Sequence, residues 1–397
     1  MCYLLTEGVV SSIIVKAILW AYSVFLCAVG RIAIMMAGAP RMHIFTWLAV
    51  VAFFASYVPK RRELGKVSYK NYTIFICLAA VLVMGLRHRH IGVDTSQYVY
   101  RFRTMDDYES FGAYYTERLA DRKFLFSETG YWLFCWVLHW FSSDGQFLIL
   151  VHAAVVTILV FRFIYKHVNN VPLGVMSYLC LGQYTFNMTG MRQAMAMSLC
   201  LVAVTYIKER RFKAFILMVL VAMQFHKTAI AFLPAYFLPW VIEKRRRVFL
   251  FFAGLVGFSF VVDRFISAFN DLTDRNYALE NAADGGGISV LLIYGLVMAL
   301  AVLIRRSLRT KDNQLAFCGV LAGLAMYIAR YYSNQILERV SYYYFYFILL
   351  LVPGVVDSLE DRERRTVGAI FCMLAIALLV YRIETGNFRP YYFFWER

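Results

Sequence analysis

Charge is scarce in this 397-residue chain: 17% of its residues are charged, against roughly 25% in an ordinary globular domain. That shortage, beside 61% hydrophobic residues and a mean hydropathy of +0.59, excludes a disordered chain and a soluble enzyme, because no soluble core hides so much apolar side chain. There is no Cys-x-x-Cys pair and no Cys/His cluster. The eight cysteines fall almost entirely inside apolar runs and read as small core residues, which excludes a secreted disulfide scaffold. The N-terminus lacks a basic n-region, carrying Glu7 instead, and has no convincing small-x-small cleavage site, so its apolar stretch reads as an uncleaved first span. A clean Asp-x-Asp is also missing. Asp106-Asp107 looks like a solvated pair, and neither metal nor cofactor is expected. No internal repeat of the inverted-transporter kind is found.

What is present is a series of long apolar windows. A spanning helix needs about 20 apolar residues to cross about 30 Å of hydrocarbon. Such windows cover 9–30, 43–58, 71–87, 145–165, 172–190, 192–207, 248–266, 288–304, 315–332, 341–356 and 366–382. The run from Lys213 to Glu243 is too long for one untilted span and is interrupted by Phe225-His226-Lys227, which predicts a tight hairpin of two short helices. Tyr131 to Phe141 is left over and is assigned to a re-entrant or interfacial helix.

Lys and Arg concentrate in short cytoplasmic loops, so the clusters at 60–70, 208–213, 244–247, 305–311 and 362–365 should all lie inside. The net charge of +16 is then a topology signal and needs no nucleic acid. The expectation is an all-α polytopic integral membrane protein, residues 1–397 forming a single membrane domain of about 13 crossings, in a range of about 11 to 14. Two extended outer-face loops are expected at 88–130 and 267–287, the second carrying Gly285-Gly286-Gly287.

Ionisable residues at span ends with no basic-loop explanation are candidates for chemistry, since charge at membrane depth costs about 2.5–3.5 kcal/mol or more per group. Arg87 ends one span and runs into a loop with Asp94 and Tyr98. Arg192 and Gln193 open another, His226 marks the hairpin tip, and Glu338-Arg339 with Tyr342 opens a late one. All fall on the expected outer face. The planar fork of arginine matches phosphate oxygens, so Arg192 and Arg339 suit a diphosphate at the lipid surface, aided at Arg192 by a helix N-terminus. His226 could bond the same phosphates or move a proton. Asp94 and Glu128 are the outer carboxylates that could act as general bases on a sugar hydroxyl.

Each also has a structural reading. Arg87 and Arg89 could snorkel to headgroups, Arg339 could pair with Glu338, His226 could be a packing residue, and Asp94 could cap a loop helix. The outer aromatics from Tyr98 through Tyr115 suit either sugar stacking or an interfacial belt.

The motifs Gly85-Leu86-Arg87, Gly92-x-Asp94-x3-Tyr98-x3-Phe102, Glu128-x-Gly130-Tyr131, Arg192-Gln193-x2-Ala196, His226-x-Thr228-Ala229-Ile230 and Glu338-Arg339-x2-Tyr342, in this order, resemble those of EpsG-type, Wzy-like polysaccharide polymerases. The resemblance runs from about Met84 to Tyr344, although Val93 and Thr95 stand where the family often has Thr and Tyr. It implies a bacterial inner-membrane glycosyltransferase with its site facing the periplasm, without a metal. Such an enzyme polymerises oligosaccharide repeat units carried on undecaprenyl diphosphate into O-antigen, capsule or exopolysaccharide. A chain-length regulator and a flippase are implied partners. On that resemblance Arg192 and Arg339 stabilise the departing diphosphate, with Gln193, Tyr98 and Tyr342 beside the substrate. His226 assists, Asp94 or Glu128 serves the acceptor hydroxyl, and Arg87 orders the loop. The competing readings are a flippase for lipid-linked oligosaccharide, an O-antigen ligase-like transferase and a membrane acyltransferase.

Overall fold

The computed structural model describes residues 44–57, 62–63, 66–118, 128–273, 288–304, 306–331, 336–385, 388 and 390–396. The expected first span at 9–30, the triple glycine at 285–287 and part of the 88–130 loop lie outside them. Among the described residues the regular structure is helical apart from a hairpin of two-residue strands, β1 (Arg62–Glu63) with β2 (Lys66–Val67).

The helices fall close to the apolar windows. The first is α1 (Ile44–Ala55), and α2 (Lys70–Gly85) follows the hairpin. Three short helices come next, α3 (Thr95–Arg103), α4 (Phe111–Arg118) and α5 (Thr129–His139). Then come α6 (Gly145–His167), α7 (Val171–Cys180), α8 (Gln183–Thr189), α9 (Met191–Lys208) and α10 (Phe212–Phe225). A 3₁₀ segment over Lys227–Phe237 leads to α11 (Leu238–Val241) and α12 (Arg245–Thr273). The rest are α13 (Ile288–Leu303), α14 (Lys311–Ala329), α15 (Ile336–Phe345), α16 (Ile348–Asp357) and α17 (Asp361–Thr385).

Among the described residues, α6, α14 and α17 are long and apolar enough to cross a membrane singly, and α15 with α16, bent by 41°, makes a fourth as a broken span. The remaining apolar helices are shorter, so the structure does not establish the expected count of about 13. Two windows are broken rather than continuous. The 172–190 window splits at Leu181-Gly182, where Gly182 takes φ +105°, and the 341–356 window breaks between Phe345 and Ile348. Helix α12 runs on to Thr273, past the expected loop start at Ser267.

The hairpin at 213–243 is present, and its limbs differ. The first is the α-helix α10. The second is wound as 3₁₀ over eleven residues, with Pro234 inside. Proline has no N–H and its ring clashes with the carbonyl four residues back, so an α-helical ladder cannot pass through it. Runs of 3₁₀ this long are uncommon and often mark functional segments.

The basic clusters converge at one end of the bundle. Lys208 pairs with Asp312 at 2.7 Å, Arg210 with Glu243 at 3.2 Å, and Arg306 with Glu360 at 3.5 Å. At the other end, α3, α4 and α5 build a separate aromatic core. Tyr98, Phe102, Tyr114, Tyr131 and Trp132 are buried there against Leu148 and Met191. Burial of each ring contributes about 1.5–3 kcal/mol. Several outer aromatics are therefore packed core, whereas Tyr100 remains 69% exposed.

Candidate active site

Separate elements, far apart in the chain, deliver the ionisable groups to this second end. Glu128 precedes α5 with φ +57°, a left-handed conformation uncommon for a residue bearing a Cβ. It places the carboxyl in the interior, 2% exposed, where Oε2 accepts from Nη1 of Arg192 at the first turn of α9. Oε1 accepts the backbone N–H of Lys227 at 3.3 Å. The Arg192 guanidinium also donates from Nε to the Tyr98 hydroxyl at 3.3 Å and lies over the Tyr98 and Trp132 rings at 5.5 and 5.9 Å. The aromatic core thus serves as the wall that orients Arg192.

His226 caps the break in the hairpin. Its Nδ1 accepts the Thr228 N–H at 3.3 Å, and the Thr228 hydroxyl lies 2.8 Å from the same nitrogen. An amide N–H can only donate, so Nδ1 holds a lone pair and the neutral ring carries its proton on Nε2. Tyr343 continues the chain, its hydroxyl 3.1 Å from that of Thr228. Glu128 Oε1 stands 3.9 Å from Nδ1, beyond hydrogen bonding. The charges of Glu128, Arg192, Arg339 and Lys227 all bear on His226, which brings four of the sequence motifs to one place.

Arg339 does not pair with its neighbour. Glu338 is taken by Arg330 and by the Tyr342 hydroxyl at 2.7 Å, and Arg339 is exposed with no carboxylate partner among the described residues. Its backbone carbonyl accepts from Gln193 Nε2 at 2.6 Å, which fastens α15 to α9. Asp94 stands at the N-cap position of α3, one turn before Tyr98. Its side chain makes no capping hydrogen bond and no ion pair among the described residues.

Arg87 is fully buried and holds backbone. Nε donates to Ile91 at 3.3 Å, Nη2 to Met188 at 3.0 Å, and Nη1 to the Met84 carbonyl. Gly92, at φ +95°, presses against the Met188 carbonyl, and Thr95 bonds that carbonyl at 2.9 Å. A buried cation whose hydrogen bonds, among the described residues, all go to carbonyls is a strut for the loop that carries Asp94. Residues 390–396 complete the strut: His88 N–H donates to Tyr392 at 2.8 Å and Phe394 N–H to Leu86 at 2.9 Å.

Among the described residues, no group of three or more His, Cys, Asp or Glu is placed to hold a metal ion. An EpsG family model matches residues 70–395, which spans every group described above. The chain belongs to the EpsG family. No curated protein and no solved structure matches it.

Several parts of this EpsG-family site escape sequence reading. Trp132 and Tyr343 sat inside apolar or aromatic stretches without a distinguishing neighbour. The tail at 390–396 gave no signal beyond its aromatics. A buried polar ladder beneath the site, from His152 through the Asn187 carbonyl at 3.1 Å to the hydroxyls of Tyr178 and Tyr346, was hidden in span windows. Asn187 within an apolar run was the available clue.

Proposed function

We propose that this EpsG-family protein is a membrane glycosyltransferase that polymerises oligosaccharide repeat units carried on undecaprenyl diphosphate. The observation that carries the reading is an apolar cavity of about 370 Å³ that reaches Thr228, whose hydroxyl lies 2.8 Å from His226, with the exposed Arg339 on the helix that supplies part of the lining. That cavity is lined by Leu337 and Val340 of α15, Ala325 and Ala329 of α14, and Phe251 and Leu255 of α12, and it ends at Thr228. An apolar cavity that reaches the hydrogen-bond partner of His226, lined in part by a helix that also carries an exposed cation, fits a prenyl chain with an anionic head.

In the proposed reaction the hydroxyl of the acceptor unit attacks the anomeric carbon of the donor, and the bond from that carbon to the diphosphate oxygen breaks. The diphosphate leaves as an anion. Arg339 meets it directly and Arg192 adds a second charge held in place by Glu128, donors preorganised where negative charge develops. The Nε2–H of His226 is free to donate to the same oxygens. Glu128, engaged by Arg192 and Lys227, orients rather than takes the proton; the unpaired Asp94 carboxylate is the base that receives it.

The basic clusters at the far end support an orientation with that end cytoplasmic and the site on the periplasmic face of a bacterial inner membrane. The test is purified protein in lipid with a lipid diphosphate-linked repeat unit as sole substrate, EDTA present and nucleotide sugars absent. Products in a ladder spaced by one repeat unit, with lipid diphosphate released, are expected. Movement of the lipid-linked sugar between leaflets without a ladder would overturn the assignment in favour of a flippase.

A further inference from the structure

Helix α8 is a seven-residue piece between two breaks, and side chains from other elements hold both of its ends. At the first end Arg382 of α17 donates from Nη1 to the Leu181 carbonyl at 3.0 Å, and Gln183 Nε2 donates to the Phe345 carbonyl at 3.4 Å. At the second end the last carbonyls of a helix have no partner within it. Here His152 of α6 donates from Nε2 to the Asn187 carbonyl at 3.1 Å, while Arg87 Nη2 and the Thr95 hydroxyl share the Met188 carbonyl at 3.0 and 2.9 Å. The Asn187 side chain is gripped as well, its Nδ2 donating to the Tyr178 and Tyr346 hydroxyls at 3.0 Å.

This grip places two groups of the proposed reaction. The held carbonyls lead through Thr189 and Gly190 into α9, whose first turn carries Arg192. Thr95 follows Asp94 and opens α3, and one turn later the Tyr98 hydroxyl accepts from Arg192 Nε at 3.3 Å. Helices α3 and α9 are thus joined twice, through the Met188 carbonyl and through Tyr98, with Asp94 on one side and Arg192 on the other. Helix α6 is the frame for both. At its start Gly145 packs so closely on Val99 of α3 that a Cβ would overlap it, Gln146 Nε2 donates to the Gly85 carbonyl at 2.6 Å, and farther along His152 reaches the α8–α9 break.

His152 is not placed for proton transfer. It is fully buried, its Nε2 carries the proton because a carbonyl only accepts, and its Nδ1 has no hydrogen-bond partner among the described residues. A ring with one nitrogen on a backbone carbonyl and the other unoccupied passes no proton on; its one bond holds backbone. We propose that His152 is a positioning residue, whose Nε2–H ties the α8–α9 break to α6 and so sets where Arg192 stands relative to Asp94. This inference rests on the polymerase reading and adds to it a residue that acts only through Arg192. A displacement of about 1 Å at a reacting group costs about 10²-fold in rate, so one bond to the backbone suffices to control turnover.

The test uses the full chain in lipid nanodiscs, with the lipid diphosphate-linked repeat unit as substrate and hydrogen–deuterium exchange measured on the same preparations. His152→Phe keeps a ring and removes the N–H, whereas His152→Gln keeps an N–H donor at similar reach. In His152→Phe, kcat should fall about 10–10²-fold with KM little changed. Exchange should rise over both 92–98 and 188–194 while 200–207 keeps its protection, because the loosened break releases α3 as well as the start of α9. His152→Gln should restore most of kcat and the exchange pattern. Thr95→Val frees the Met188 carbonyl from the other side and should reproduce both effects should the phenylalanine variant fail to fold; the double variant should lose less than the two losses combined, since both act on one joint. Exchange that rises only around position 152, a loss of kcat that glutamine does not repair, or a rise in KM with kcat unchanged would overturn the positioning role. No ladder from the unaltered chain, with exchange moving as described, would defeat the polymerase reading and leave the tie from α6 to α3 and α9 standing, whereas a ladder with exchange confined to α6 would do the reverse.

Discussion

Glu128 and Arg192, 64 residues apart in the chain, meet as an ion pair with the carboxylate 2% and the guanidinium 16% exposed. Removing one partner of such a pair strands the other charge in the interior, at a cost of about 3–5 kcal/mol. Glu128→Ala and Arg192→Ala should each lower thermal stability in lipid by an amount of that order, and the double variant should lose less than the sum. Additive losses in the double-mutant cycle would mean that the two side chains are not coupled.

Arg339 should behave in the opposite way. It is exposed and has no carboxylate partner among the described residues, so Arg339→Ala should leave unfolding temperature unchanged while polymer formation falls about 10²–10³-fold, the usual cost of losing one charge-stabilising donor. Arg339→Lys should recover part of this, because a lysine keeps the charge and loses the planar fork. A stable Arg339→Ala protein with normal turnover would remove Arg339 from the diphosphate site.

Much of this architecture is legible in the sequence. The break at His226 showed because an imidazole and an ammonium interrupt an apolar run, and the basic clusters showed because lipid leaves few places for them. The pairing of Glu128 with Arg192 was not legible: nothing local in either motif names a partner so far along the chain, and a left-handed residue at the start of α5 has no signature in composition. The 3₁₀ winding of the second limb is not legible, because its apolar spacing matches a helix and Pro234 alone marks the broken ladder. Gln183 and Arg382 lie inside apolar windows whose mean hydropathy hides single polar residues, although Gly182-Gln183 within apolar surroundings marks the break.

The Thr228 N–H keeps the lone pair of His226 on Nδ1, and the Thr228 hydroxyl, within reach of Tyr343, makes a second contact with that nitrogen. Thr228→Val removes the hydroxyl while keeping the shape and the backbone N–H, so kcat should fall about tenfold with KM little changed, a cost of roughly one hydrogen bond to a catalytic group. Tyr343→Phe acts one step further out and should cost less. An effect on KM alone in both variants would place His226 in ground-state binding and not in the reaction.

Orientation can be read with a membrane-impermeant maleimide. Val93, 67% exposed, belongs to the site end, and Arg309 is exposed among the basic clusters at the other. In intact spheroplasts, a cysteine at position 93 should label and a cysteine at 309 should label only after permeabilisation. The reverse pattern would put the site on the cytoplasmic face and end the periplasmic assignment.

The apolar cavity offers a test that separates the lipid tail from its head. Ala325 lines it and is partly exposed, so a larger side chain there can occupy the cavity instead of the packed core. Ala325→Trp should raise KM severalfold for a donor on a long polyprenyl chain while leaving a donor on a short prenyl diphosphate unaffected, because the short chain engages Arg339 and His226 without filling the channel. Binding energy from a remote part of a substrate supports turnover as well as affinity, so kcat with the long donor should also decline. Equal losses with both donors would mean that the substitution disturbs the reacting end, and no loss with either would mean that the prenyl chain runs elsewhere along the bundle.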